Sequence, residues 1–173
     1  MIENMIFEIG EDPCPTINWT GKLSEQEINL STEKLYCYTA ACGYKIELVH
    51  NCHTRIDHSL RTIFINSAYG RQRIYYVLLH EIGHMVLNLK NTLSNGEIMP
   101  YVLNYPGLAD KKMAAQRTSS RRYAITLIHE ELDAWRKGID IAHALQLPLS
   151  TFEYTELASK SVATYVSAAY KYC

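Results

Sequence analysis

Apolar and polar positions change period several times along the chain, and each change marks an element. "SEQE" at 24–27 has capping-box spacing, Ser24 to Glu27, and predicts a helix over about 24–42. Gly43 closes it, being free to take the left-handed conformation that ends helices. "YKIELVH" (44–50) alternates and is rich in β-favouring residues, so it predicts a strand; "RTIFIN" (61–66) predicts a second. The polar "NCHTRIDHS" between them reads as a loop. A long helix over about 70–90 follows. Residues 91–117 contain Gly96, Pro100, Pro106 and Gly107 without a sustained period, which predicts a long connection. A further helix is expected over about 119–146, with Ser119 or Ser120 as N-cap and Pro148 beyond its end. "STFE" (150–153) repeats the capping-box spacing and opens a last helix towards Cys173. Residues 1–22, with Pro13, Pro15 and Gly21, predict an irregular lead-in. Helix, strands and then three helices make an α+β pattern, and 173 residues suit a single domain.

The long central helix carries unexpected chemistry. "YYVLLHEIGHMVLNLK" (75–90) sets His80, Glu81 and His84 among Val, Leu, Ile and Met. Each is costly to desolvate unless paired or bound. Positions i and i+4 share one helix face, so His80 and His84 can aim two imidazoles at one point. This is the HExxH arrangement of zinc hydrolases, with Glu81 about 100° round the helix, placed to reach a water on the metal rather than the metal. Gly83 removes a side chain beside the site and suits close approach by another element.

A catalytic zinc site needs a third protein ligand, leaving one position for water. "LIHEELDAWRKGIDIA" (127–142) offers two glutamates. The helical neighbours of Glu131 are Ala124, Leu127, Ile128, Ala134, Trp135, Gly138 and Ile139, an apolar stripe in which an unpaired carboxylate is expensive. Those of Glu130 include Tyr123, Thr126, Asp133 and Lys137, a more solvated face. Glu131 is therefore the expected third ligand and Glu130 the fallback.

Composition narrows the setting. A net charge of −1 gives no electrostatic case for nucleic acid, and the basic "KKMAAQRTSSRR" (111–122) is only a local exception. No stretch approaches the roughly 20 apolar residues that span a bilayer. The first residues, "MIENMIFEIGEDPCP", carry acids where a signal peptide needs bases. Five cysteines without a CxxC pair look like reduced thiols, so a cytoplasmic protein is expected.

Taken together, "RTIFINSAYGRQRIYYVLLHEIGHMVL" (61–87) resembles the ImmA/IrrE group of zincin-like metallopeptidases. Those proteins have a short strand ending in Asn, a gap with arginines, and an aromatic-rich helix bearing HExxH. Their second motif sets a glutamate three residues before an alanine, as Glu131 stands before Ala134; their aromatic comes later than Trp135, and Lys137 holds its place. The helix is also similar to that in the peptidase-like domain of some antirestriction proteins. The resemblance implies a zincin-like fold, a small mixed sheet packed on the active-site helix with further C-terminal helices. It also implies zinc held by His80, His84 and Glu131, Glu81 as general base, and an intracellular protein or peptide substrate. A non-catalytic zincin scaffold or partner-binding protein of a mobile element is the alternative, and a zinc hydrolase of small amides a further one.

Other positions invite roles in such a site. Tyr76 and His129 are candidate donors to a developing oxyanion. Asp133 either supports a ligating imidazole or pairs with Arg136 or Lys137. His50, Cys52, His53 and His58 form either a second metal cluster or a polar loop, the loop being expected. "TIFIN" is a candidate edge for an extended peptide. Tyr154, Leu157, Val162, Tyr165, Val166 and Ala169 have roughly helical spacing, which predicts packing against the core.

Overall fold

The computed structural model describes residues 22–95 and 121–170. The lead-in, most of the 91–117 connection, Ser119, Ser120 and most of the basic cluster lie outside the described residues. The elements in chain order are α1 (Glu25–Ala41), β1 (Lys45–Val49), β2 (Arg55–Asp57), β3 (Thr62–Asn66), α2 (Arg71–Asn95), α3 (Arg121–Ala144) and α4 (Thr151–Tyr170). This is an α+β arrangement of four helices and a small mixed sheet among the described residues. None of these helices is long and apolar enough to cross a membrane. Cys37, Cys42 and Cys52 are free thiols.

α1 begins as expected. The Ser24 hydroxyl accepts from Glu27 N at 3.2 Å, and Ser24 N donates to the Glu27 carboxylate at 2.7 Å. Its buried residues, Ile28, Ser31, Leu35 and Thr39, recur at helical intervals along one side, which packs on α2 and β1. Gly43 follows at φ +76°.

The sheet has the order β1-β3-β2, with β1 parallel and β2 antiparallel to β3. Two expectations change here. The "NCHTRIDHS" segment is not all loop, because Arg55–Asp57 pairs with β3 through Ile56 opposite Ile63. "TIFIN" is consequently the central strand, with both edges occupied, and cannot receive a peptide. Its Thr62, Ile63 and Ile65 are fully buried, which a central strand between helices and flanking strands demands.

α2 runs through the middle of the molecule. Tyr75, Leu78, Leu79, Ile82 and Met85 are fully enclosed, with Tyr76 and Val86 nearly so. It also extends to Asn95, five residues beyond its expected end near 90. α3 lies against it at close range. A Cβ on Gly83 would stand 2.2 Å from Ala134 O, and one on Gly138 would stand 3.0 Å from Leu79 O and 2.1 Å from the Tyr154 hydroxyl. Glycine at both positions lets the two backbones touch. α4 packs on α3, where the Tyr154 hydroxyl donates to Trp135 O at 3.1 Å, and Leu157 and Val162 cover the core edge. Val166, expected to pack against the core, is exposed instead. Tyr76 and Gln72 on α2 both donate to the Glu153 carboxylate, tying the start of α4 to α2.

Candidate metal centre

The helix spacing sets His80 and His84 one turn apart with ring centroids 4.6 Å from each other. The Gly83–Ala134 contact brings α3 up to the same turn, and Glu131 stands one turn before Ala134. Its carboxylate therefore meets both imidazoles: His80 Nε2 lies 3.3 Å from Glu131 Oε2, and His84 Nε2 lies 3.4 Å from Oε1. One ligand atom from each residue falls within 4.8 Å of the others. His80 and Glu131 are buried and His84 nearly so. Among the described residues no other group of histidine, cysteine and carboxylate side chains gathers in this way.

These separations are informative. A charge-assisted N–H···O bond closes to about 2.7–2.9 Å. The observed 3.3 and 3.4 Å are longer. Donors standing about 2.0–2.1 Å from a tetrahedral ion are about 3.3 Å from one another. Two imidazole nitrogens and a carboxylate are thus positioned to hold a metal ion, one donor short of a tetrahedral set.

Electrostatics reinforce the grouping. Burial pushes the Glu131 carboxyl upward, but hydrogen bonds and positive charge from His80 and His84 outweigh it and hold the group below the usual carboxylate range. Burial works to lower His84, yet the Glu131 hydrogen bond and nearby carboxylate charge leave it above the ordinary histidine value. Glu81, only 6% exposed, is pushed upward by desolvation against the opposing pull of the two histidines. Each shift reflects the same fact, that charge is held here away from water.

The three residues line a cavity of ≈ 950 Å³ bounded by β2, α2, α3 and α4, and Glu81 faces it as well. Glu130 is not on a solvated face as its neighbours implied. It lines the cavity too, its Oε2 is buried without a hydrogen-bond partner among the described residues, and desolvation pushes it up to about 7. It does not join the ligand group, which takes Glu131.

The surrounding residues differ from several expectations. Tyr76 does not reach the cavity, because its hydroxyl is committed to Glu153 at 3.0 Å and Gln72 at 3.1 Å. His129 is exposed and lies off the cavity. Tyr165, on α4, is the tyrosine that does arrive: it lines the cavity, and burial together with the negative charge of Glu131 raises it, so the phenol keeps its proton. Asp133 lines the cavity wall but pairs with Arg136 at 3.5 Å rather than supporting an imidazole. His80 is oriented instead by stacking on Trp135, with centroids 4.2 Å apart and planes at 19°. Its Nδ1 is buried without a partner among the described residues.

The second histidine cluster does not assemble as a metal site. His58 turns to the cavity wall, where its Nδ1 meets the Tyr44 hydroxyl at 3.0 Å, and His50, Cys52 and His53 do not gather round it. Desolvation and the neighbouring His84 lower His58, favouring the neutral ring. Compared with protein-family models, curated proteins and solved structures, the chain gives no match in any of the three.

Proposed function

We propose that this protein is a zinc-dependent endopeptidase that hydrolyses a peptide bond in an intracellular protein, with Glu81 as general base. The observation that carries the reading is the division of labour among the carboxylates. Glu131 meets both imidazoles, while Glu81, on the same helix as the histidines, stays out of the ligand group yet faces the cavity. A set of two histidines and one carboxylate suits zinc, and three protein ligands are the number used by catalytic rather than structural sites. The resemblance of the HExxH segment to ImmA/IrrE proteins and the α+β arrangement are consistent with a zincin-like fold.

Zinc, when bound, supplies a Lewis acid that lowers the pKa of water to about 7 and polarises the scissile carbonyl. His80, His84 and Glu131 would hold it. Glu81 accepts the proton released by the attacking water and returns it to the leaving amine nitrogen. Its desolvation suits that task, since a carboxylate with a raised pKa is a stronger base than one in water. Tyr165, a protonated phenol on the cavity wall, is a group from which an oxyanion can draw a hydrogen bond. The peptide would extend along β2, the edge strand on the cavity side, rather than along β3.

The test is digestion of unfolded protein substrates by zinc-loaded wild type and Glu81→Gln, read by mass spectrometry. New termini with wild type alone are expected. Equal silence from both, with zinc bound to each, refutes the catalytic reading and favours a non-catalytic scaffold.

A further inference from the structure

The cavity wall carries two guanidinium groups that the proposed chemistry leaves unused. Arg73 and Arg55 both line it, one from the first turn of α2 and one from β2. Neither forms an ion pair with a carboxylate among the described residues. The carboxylates near them are engaged elsewhere: Asp57 accepts from Ser59 at 2.6 Å and Leu60 N at 3.0 Å, Glu156 pairs with Lys160 at 2.7 Å, and Glu153 takes Tyr76 and Gln72. The charged end of each arginine lies instead over an aromatic ring. The Arg73 guanidinium carbon lies 4.0 Å above the Tyr69 centroid, and that of Arg55 lies 4.5 Å above Phe64.

A cation over a ring face restricts the guanidinium while leaving N–H groups able to bond; Arg55 already gives Nη1 to His53 O at 3.5 Å, which makes Arg73 the principal fork. A fork held ready in this way is matched to a carboxylate, which it binds through two parallel hydrogen bonds. Position along the helix adds a distance. Arg73, Val77, His80, His84 and Leu87 follow one another at helical intervals and all face the cavity. Arg73 is thus two turns before His80, about 10 Å along the axis. An extended peptide covers that length in about three residues.

We infer that Arg73, assisted by Arg55, forms a subsite for an aspartate or glutamate side chain of the substrate, about three residues from the bond that is cut. The inference rests on the peptidase reading for its meaning but not for its measurement. With zinc bound, one of its two positive charges is met by Glu131 and the other by Glu81, and Arg73 and Arg55 add positive charge at their end of the cavity.

The test uses zinc-loaded Glu81→Gln protein, so that peptides are not consumed, and two fluorescein-labelled, end-blocked random peptide pools. One pool contains Asp and Glu but no Lys or Arg; the other is the reverse. Binding is read by fluorescence anisotropy. The acidic pool should bind about tenfold more tightly, the size expected of one charge-assisted contact. Adding Arg73→Gln should remove most of that preference, Arg55→Gln part of it, and Arg73→Glu should invert it, with zinc content unchanged throughout. Equal binding of both pools, or a preference indifferent to Arg73, overturns the subsite. Incubating the same pools with the zinc-loaded wild type reads hydrolysis separately. Failure to cut either pool counts against the peptidase reading, while the charge preference is decided by binding alone.

Discussion

Replacing Gly83 with alanine tests whether the helix crossing builds the metal centre. A methyl there would lie 2.2 Å from Ala134 O and 3.0 Å from Ala134 C, whereas ordinary contact begins at 3.4 Å. The obstructing atoms are backbone, so no rotamer change relieves them, and the helices must part by about 1.2 Å at the crossing. Two effects compete. Alanine in a helix interior is favoured over glycine by about 1 kcal/mol. Overpacking costs about 1–3 kcal/mol, and a backbone collision this close belongs at the upper end. The clash wins, leaving a net loss of about 1–2 kcal/mol, which lowers Tm by about 2–8 °C in a chain of this size. The larger effect falls on the metal. Glu131 is one turn from the collision, and metal sites tolerate displacements of only about 0.2 Å. Zinc affinity, measured by competition with a chromophoric chelator, should fall at least tenfold. Gly70→Ala is the control, since a Cβ there meets nothing within 4 Å. If Gly83→Ala melts with wild type in chelator and binds zinc equally well, the helices are not in backbone contact and the argument fails.

Elemental analysis of protein purified without added metal should find about one zinc per chain in wild type and Glu130→Ala and none in Glu131→Ala; the reverse pattern would move the ligand by one residue. Tyr165→Phe removes the hydroxyl whose electrostatics couple to Glu131 and should weaken zinc binding several-fold while leaving Tm nearly unchanged; an unaltered affinity would show that Tyr165 does not orient the ligand. His84 is raised above its ordinary value of 6.5, so its proton competes with metal below that raised value, and zinc affinity should fall about tenfold per pH unit there; a titration flat between pH 8 and 6 would contradict this. Without metal the sign reverses. The raised pKa values of His84, Glu81 and Glu130 mean that the folded state binds protons more tightly than the unfolded chain, a contribution present at low pH and lost as pH rises through the folded values. The lowered His58 opposes them. Tm in chelator should therefore be higher at pH 6 than at pH 8, and calorimetry showing the opposite would refute the assignment.

Features that depend on helical period were readable from the residues alone. The His80–His84 pairing, the apolar stripe around Glu131, the Ser24 cap and the closeness implied by Gly83 all follow from neighbours three and four positions away. What needed the folded molecule depends on partners distant in sequence. Arg55–Asp57 has no strand signature in three residues, and becomes a strand only by pairing with β3. That same pairing moves Thr62–Asn66 from edge to centre. The neighbours of Glu130 include polar residues, yet packing around the cavity encloses its Oε2. Tyr165 is one of 13 tyrosines, and nothing around it in sequence marks it as the one that meets Glu131. Arg73 was the accessible case, since it stands seven positions before His80 on the same face.

The edge strand facing the cavity is only three residues long, Arg55–Asp57. A chain laid beside it would be gripped over about 10 Å. Ordering each residue costs about 1–2 kcal/mol, and each hydrogen bond returns about 0.5–1.5 kcal/mol, so so short a rail barely offsets the order it imposes. It cannot peel a segment out of a folded structure. On the proposed peptidase reading, a protein of this build would act as a sensor of looseness: it would cut where a target has already come apart, and the state of the target would decide the timing.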